Sequence, residues 1–180
     1  MAIWRFEDRV PKIGEGTFIA PTADVIGDVT IGKNCYVGPG AIIRGDYGTI
    51  IIGDETSIQE NVVIHARPND VTKIGSRVTL GHGCIVHNCV IEDEVVVGMR
   101  AVVTDYCTVK KWAVIGEGAV VPNSKIVEEG DIVVGVPAKP VGNIHDETKK
   151  EIKQKLAWYK DKYVEMARRY LADNAFEKIS

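Results

Sequence analysis

The sequence lacks any long apolar run and any excess of basic residues, and these two absences exclude whole classes of protein. No stretch of its 180 residues approaches the roughly 18 consecutive apolar residues that a membrane span requires. A net charge of −3 and a pI near 5.8 give no positive field for nucleic acid or an anionic membrane. The N-terminus Met1–Asp8 has no basic flank followed by an apolar core. We therefore expect one folded, cytoplasmic body with neither nucleic acid nor membrane as a partner.

Cysteine is scarce, and no two of its four occurrences form a C-x-x-C pair. The cysteines are Cys35, Cys84, Cys89 and Cys107. Without a sign of an oxidising compartment, they are predicted to be buried thiols that behave as small apolar groups. Cys84 and Cys89 are close in sequence to two histidines, so a structural Cys/His zinc site stays open, although the spacing matches no known finger or ribbon.

What the sequence does contain is a repeat of six residues. An aliphatic residue returns almost every sixth position, often followed by glycine, in a stretch rich in β-branched residues. This period is neither the 3.6 of an amphipathic helix nor a simple alternation, and it is typical of hexapeptide β-helix repeats. The repeat positions are Ile19, Val25, Ile31, Val37, Ile43, Ile52, Ile58, Ile64, Ile74, Leu80, Val86, Ile91, Val97, Val103, Val109, Ile115, Val121, Val127 and Val133.

Six residues form one short strand and a turn, and three such units close a triangular coil of about eighteen residues. The sequence therefore predicts a mainly β protein, with a parallel β-helix of about seven coils over residues 1–140 and a short lead-in at 1–12. The aliphatic repeat positions should stack inside this prism while each coil pairs with the next. Periodicity alone does not fix the handedness.

The pattern changes after Gly135–Pro140. Apolar residues then recur at three- and four-residue spacing, which predicts an amphipathic helix of about six turns that begins with a Thr148/Glu151 capping box. Residues 141–180 are thus predicted to be a linker and a C-terminal α-helix packed on the outside of the prism, with lysine and arginine facing away. The predicted apolar stripe is Ile152, Leu156, Tyr159, Tyr163, Ala167 and Tyr170.

Three of the four histidines lie within 23 positions of each other, and the repeat fixes where each one lies. His65 and His87 each follow a repeat residue on the same face, one coil apart once an insertion at Arg67–Asp70 is counted. They should stack at roughly 4.8 Å, close enough to bind one metal ion. His82 belongs to another face, across the aliphatic core. It can join the pair only from a neighbouring chain, which predicts a cyclic homotrimer with metal sites at the subunit interfaces.

Other polar residues fall into the same register. Gln59 lies one coil from His82, and Arg44 lies one coil from His65, so two polar clusters on two faces are predicted to be the halves of one interfacial site. Arg44 and Asp46 are predicted to pair across the subunit boundary, since a guanidinium fork suits a desolvated carboxylate.

Three segments carry a resemblance to a known family: Arg44–Asp46, the Gln-x5-His segment Gln59–His65, and Gly81–His87 with its His-x4-His spacing. In these residues the chain resembles the γ-class carbonic anhydrase family, whose members are left-handed parallel β-helices. The resemblance runs roughly from Pro11 to the C-terminal helix.

The resemblance implies a metal centre. Its ligands would be His65 and His87 of one subunit and His82 of the neighbouring subunit, and its cofactor would be zinc, or else iron(II) or cobalt. The implied reaction is the hydration of CO2 to bicarbonate by a metal-bound hydroxide.

Four more residues receive roles from the resemblance. Gln59 would hydrogen-bond the metal-bound water or hydroxide. Arg44 and Asp46 would form the intersubunit pair that holds the trimer and frames the site. Tyr163 is the best match to a tyrosine that lies near the site on the C-terminal helix of relatives.

The sequence departs from the family pattern in three places. Ser57 stands where the family has an asparagine, and Tyr47 stands where it has a glutamate. The long acidic loop that carries the proton-shuttling glutamate is reduced to Arg67–Asp70, which leaves Asp70, Glu60 or solvent buffer to export protons. We therefore expect CO2 hydration to be weak.

Two other functions stay open. An acyltransferase or acyl-CoA thioesterase could use the same scaffold: an acyltransferase would need one histidine as a general base in a cleft between subunits and no metal, whereas a metal-dependent thioesterase would direct the same hydroxide at a thioester. A non-catalytic metal or ferric-siderophore binding protein would bind without turnover.

Overall fold

The structure is a computed structural model that describes residues 2–173, 175–176 and 179. Its main body is a parallel β-solenoid of about seven turns, consistent with a left-handed β-helix, and an α-helix follows it. The predicted fold class is therefore confirmed. Within the described residues, no helix combines the length and the apolar content needed to cross a membrane.

The solenoid consists of short strands joined by turns. The described strands are β1 Ala2–Trp4, β2 Lys12–Ile13, β3 Phe18–Ile19, β4 Asp24–Ile31, β5 Tyr36–Val37, β6 Ile42–Ile52, β7 Ser57–Ile58, β8 Val63–His65, β9 Val71–Ile74, β10 Thr79–Leu80, β11 Ile85–His87, β12 Val90–Ile91, β13 Val96–Val97, β14 Val102–Val103, β15 Thr108–Val109, β16 Val114–Ile115, β17 Val120–Val121, β18 Ile126–Val127, β19 Asp131–Val134 and β20 Lys139–Asn143.

The strands stack into three faces of a prism. The first face contains β8, β11, β14 and β17, and the second contains β9, β12, β15 and β18. The long strand β6 turns the corner between these faces, because its residues 42–44 pair with β8 and its residues 49–52 pair with β9. The third face is a separate sheet with the strand order β20-β19-β16-β13-β10-β7-β5-β3.

The interior is the aliphatic stack that the repeat predicts. Every repeat position from Ile19 to Val133 is buried. The five-residue step from Val86 to Ile91 keeps both side chains inside, since Asn88 turns the chain between them with a φ of 50°. Burying one valine or isoleucine contributes roughly 1.5–3 kcal/mol, so this stack is a principal source of stability.

Both ends of the solenoid are closed by additional pairing. At the start, β1 pairs in parallel with β4, so part of the predicted lead-in 1–12 belongs to the sheet. At the other end, β20 runs antiparallel to β19. This last strand crosses the position between residues 140 and 141 where the linker was expected to begin.

The C-terminal helix α1 spans Lys150–Leu171 and packs outside the third face, against β3, β5 and β7. The predicted capping box is wrong. Thr148 lies inside a 3-10 turn, Glu147–Lys149, that precedes the helix, and the N-cap residue Lys149 makes no side-chain cap. Because Thr148 is already in a helical turn, its hydroxyl is not at the position that caps the first free N–H groups.

The packed side of α1 includes a lysine, contrary to the expectation that lysines face away. Lys160 is 2% exposed and lies beside the buried Val164 and Ala167. Its Nζ lies 3.0 Å from Glu94 Oε2 and also donates to the Glu94 carbonyl. Burial lowers the pKa of Lys160, and Glu94 opposes that shift. The helix is thus docked by a buried ion pair as well as by its apolar stripe.

Candidate metal centre

The first two candidate ligands lie side by side on the first face. Strands β8 and β11 are adjacent, and their pairing sets His87 opposite His65, as the period of six predicts. His65 Nδ1 lies 3.2 Å from His87 Nε2, and the ring centroids are 5.2 Å apart. Both rings therefore turn one nitrogen toward a common point.

The outer nitrogen of His65 is held by Asp46. The distance from His65 Nε2 to Asp46 Oδ1 is 3.0 Å, and Asp46 Oδ2 pairs with Arg44 Nη1 of the same chain. Burial alone would raise the pKa of Asp46, but hydrogen bonds from Arg44 and His65 outweigh it and lower that pKa. Arg44 lies opposite His65 in the strand register, where the count of six puts it. The ion pair expected between subunits is thus formed within one chain here.

The outer nitrogen of His87 is held by a residue that the sequence reasoning missed. Asp105 Oδ1 is hydrogen-bonded to His87 Nδ1, and Asp105 Oδ2 accepts from Arg67 Nε at 3.0 Å and from Arg67 Nη2. The register alone does not predict it: Val86 pairs with Val103, so the residue one coil after His87 is Thr104, and Asp105 comes one place later. A search one residue to either side of the register position would have included it.

His82 follows β10 on the third face and is backed by the coil before it. Its Nδ1 lies 2.5 Å from Glu60 Oε2, without the alignment of a hydrogen bond. The backbone N–H of His82 donates to Gln59 Oε1 at 3.2 Å. Since Ile58 pairs with Leu80, Gln59 and Glu60 continue the coil beside Gly81 and His82. Gln59 is therefore on the coil next to His82, opposite Gly81, and Glu60, which the sequence suggested only as a carrier of protons, is directly opposite His82.

Beside His82 a cleft of about 290 Å³ opens between the third face and α1. Gln59, His82 and Tyr163 share this cleft, so the tyrosine chosen on the helix lies on the same side as the third histidine. Burial, and then the nearby Glu60, raise the pKa of Tyr163, which keeps its hydroxyl protonated as a donor. The remaining walls are mainly apolar.

Two residues that depart from the family pattern, Ser57 and Tyr47, can be located in the structure. Ser57 is 2% exposed, and its hydroxyl oxygen has no hydrogen-bond partner among the described residues. Tyr47 is 62% exposed on β6. The structure therefore gives neither residue a bonded role in the chain that would replace the missing asparagine or glutamate.

A single chain does not bring all three histidines together. His82 belongs to the third face, whereas His65 and His87 belong to the first, and the aliphatic stack separates them. Across residues 2–173 and the few described after them, no group of three or more histidine, cysteine or acidic side chains has the arrangement of a metal site.

The cysteines are all free and buried. Burial raises the pKa of Cys35 to about 11 and that of Cys84 to about 12, so neither thiol ionises near neutral pH. The sulfur atoms lie in the interior while the histidines lie on the outside. The Cys/His zinc site that the sequence left open is therefore not formed by the described residues.

Comparison with known proteins agrees with this architecture. A family model described as bacterial transferase hexapeptide (six repeats) matches residues 11–45. The mitochondrial gamma carbonic anhydrase 2 of Arabidopsis thaliana is 34% identical, over 96% of this chain and 63% of that protein. The carnitine operon protein CaiE of Escherichia coli K12 is 35% identical, over 82% of this chain and 75% of that protein. A solved hexapeptide transferase family protein from Anaplasma phagocytophilum is 33% identical with a TM-score of 0.88, over 94% of this chain and 98% of that one.

The coils and the outward-facing histidines define a hexapeptide-repeat β-helix protein with a candidate metal centre. More particularly, the chain belongs to the hexapeptide-repeat, left-handed β-helix family that contains the γ-class carbonic anhydrases. The chain spans 63% and 66% of the two Arabidopsis carbonic anhydrases, slightly less than two thirds of each. Membership alone therefore assigns it neither an activity nor a partner.

Proposed function

We propose that this protein is a metal-dependent, carbonic anhydrase-like enzyme that hydrates CO2 to bicarbonate slowly, at sites shared between the subunits of a homotrimer. The observation that carries the proposal is the pair of facing nitrogens, His65 Nδ1 and His87 Nε2. Because both outer nitrogens are bound to carboxylates, both facing nitrogens present lone pairs. Two facing acceptors repel each other unless a cation or a shared proton lies between them.

The spacing of this pair fits a metal ion. A tetrahedral ion bound at 2.0–2.1 Å holds two ligand nitrogens roughly 3.3 Å apart, and the facing nitrogens are 3.2 Å apart. Carboxylate partners on the outer nitrogens are the usual support of metal-binding histidines. His65 and His87 would bind the ion together with His82 of a neighbouring copy. Imidazole ligands suit zinc, and also iron(II) or cobalt.

A row of aliphatic side chains supports assembly through the first face. These residues occupy the outward position just before each repeat residue, and they pair with each other from coil to coil beside the histidines. Contiguous apolar surface of this kind marks protein–protein contact. A heterologous contact that rotates by a third of a turn closes into a ring of three. The row consists of Ile42, Val63, Ile85, Val102 and Val120.

The chain's own residues would orient the reactants. When bound, the metal supplies a water-derived nucleophile near neutral pH. Gln59 accepts a hydrogen bond from the His82 backbone, which leaves the donor end of its amide for an oxygen in the cleft. Tyr163 remains protonated and offers a second donor from α1. Both side chains can hold a substrate or product oxygen without carrying charge.

Proton export is the weak step of this proposal. Asp70 Oδ2 accepts from Asn88 Nδ2 at 3.0 Å, and Glu60 Oε1 accepts from the Tyr36 hydroxyl at 2.9 Å. Carboxylates held in this way are poor carriers of protons to solvent, so we expect turnover to rise with buffer concentration.

Metal content, native mass and CO2 hydration of the purified protein test the proposal together. We expect one metal per chain in a trimer, and hydration that falls to background in a His65→Ala variant. His145→Ala is the matched control, because His145 contacts Lys153 away from the candidate site. A metal-free monomer, or equal hydration by wild type and His65→Ala, would contradict the proposal.

Thioester chemistry is the second candidate, and the cleft beside His82 favours it. Its volume of about 290 Å³ and its apolar walls, which include Val97, Met99 and Leu156, offer more room than CO2 needs. Acetyl-CoA hydrolysis that disappears on chelation would indicate a metal-dependent thioesterase. Acyl transfer that survives exhaustive chelation would indicate the general-base mechanism of an acyltransferase instead.

A further inference from the structure

Each histidine of the pair is bound by an aspartate that also pairs with an arginine, and we call these two Arg–Asp pairs the first and the second arm. In the first, Arg44 pairs with Asp46, which binds His65. In the second, Arg67 pairs with Asp105, which binds His87. The second arm lies outside the three segments that carry the family resemblance, and it begins in the short loop that replaces the acidic one.

The Arg67–Asp70 loop is anchored at several points. The Arg67 backbone N–H donates to Asn88 Oδ1 at 3.1 Å, and Asn88 Nδ2 donates to Asp70 at 3.0 Å. On the other side the loop lies against Gly48, where an added Cβ would fall 2.3 Å from the Arg67 carbonyl oxygen. A larger residue at position 48 would push the loop outward, so the backbone of Arg67 is fixed from two directions.

The anchored loop directs the arginine at one carboxylate oxygen. Arg67 Nε and Nη2 both donate to Asp105 Oδ2, which leaves Oδ1 for His87 Nδ1. The Asp105 side chain is 9% exposed. Because Asp105 Oδ2 accepts both N–H groups of Arg67, the carboxylate meets His87 as a hydrogen-bond acceptor, and an acceptor at Oδ1 selects the His87 tautomer with hydrogen on Nδ1.

We propose that Arg67 and Asp105 are a positioning pair, which holds the His87 ring with its Nε2 lone pair toward His65. The inference rests on the proposed function, because it concerns residues behind one of the proposed metal ligands. In this chain, the loop after His65 then serves to orient a ligand instead of exporting protons.

Zinc affinity of the whole 180-residue chain, measured by competition with a chromophoric chelator, tests the inference. Asp105→Asn keeps the size of the side chain but turns a donor toward Nδ1, and we expect it to weaken zinc binding by about 10–100-fold. Arg67→Gln should weaken binding by less, since Asp105 remains. Arg67→Lys should recover only part of the loss, because lysine keeps the charge without the planar fork. Glu128→Gln is the control, since it removes a carboxylate from the Lys110 pair on the second face.

A second measurement separates positioning from a general loss of structure. Nitrogen-15 NMR of the metal-free protein should show His87 with hydrogen on Nδ1 in the wild type, and a shift of that tautomer in Asp105→Asn, while the native mass stays unchanged. If wild type binds zinc and Asp105→Asn binds it equally well with the same tautomer, the positioning role is wrong and the proposed function stands. If wild type binds no zinc at the histidines, both are wrong.

Discussion

The two halves of the candidate site differ in how much of the geometry one chain provides. On the first face, the side chains of His65 and His87 are 17% and 34% exposed, and each has a carboxylate on its outer nitrogen. On the third face, the His82 side chain is 48% exposed beside an open cleft. Neighbouring coils of one chain thus set His65 and His87 side by side in advance, whereas His82 could join them only in the assembly that we propose.

The largest expected effect comes from mixing two inactive variants. His65→Ala lacks a ligand of the first half, and His82→Ala lacks that of the second, so each alone should bind almost no zinc. In randomly assembled trimers of equal amounts, about one interface in four joins an intact His65 side to an intact His82 side. We expect co-expressed, mixed trimers to hold about a quarter of the wild-type zinc per chain. No recovery above the single variants would mean that the halves do not meet between subunits.

A smaller effect is expected when α1, which forms one wall of the cleft beside His82, loses its buried ion pair with the solenoid. Lys160→Ala removes the buried amine from Glu94, which keeps its pair with Arg77 Nε at 2.9 Å. The cost should therefore be about 1.5–3 kcal/mol for the lost charged hydrogen bonds, below that of a buried charge left without any partner. The free energy of unfolding in urea should fall accordingly. The cleft beside His82 should change more than the His65–His87 pair, because α1 forms a wall of that cleft. The control is Lys162→Ala, which removes an exposed pair with Glu165 and should cost less than about 1 kcal/mol. Equal losses in the two variants would contradict the docking role of Lys160.

The smallest change is expected at the cysteines, which lie in the core between the two halves. Because burial raises the pKa of Cys35 to about 11 and of Cys84 to about 12, both should react at least ~100-fold more slowly with a disulfide reagent at pH 8 than in the unfolded chain. The rate should be the same with and without zinc. Protection of a thiol by zinc would indicate that sulfur takes part in the site.

The sequence predicted the fold and the stacking of residues because a period of six converts directly into position. His65 opposite His87, Arg44 opposite His65, and Gln59 beside His82 all follow from that count. The same count puts Thr104, not Asp105, one coil after His87, because Val86 pairs with Val103. The contact from Asp105 to His87 depends on the turn that follows β14, which the period does not encode.

Other features depend on tertiary contacts that no periodicity encodes. Lys160 is a strong helix former with a charged tip, and its burial is favourable because Glu94 and the Trp112 ring, whose centroid is 4.9 Å from Nζ, lie beside it on the solenoid. Thr148 has the right residue type for a cap, but the 3-10 turn that begins at Glu147 shifts the helix start past it.

His65 and His87 lie on adjacent coils, and this spacing limits where the chain can gain or lose length. The repeat tolerates the addition of one complete eighteen-residue coil, since every inward side chain would stay inward. Such an addition between His65 and His87 would double their separation from one strand spacing to two, roughly 9.6 Å, which is too far to share an ion. The protein can therefore grow before the coil that carries Asp46 or after the coil that carries Asp105 without loss of the site, but between those two coils its length is fixed.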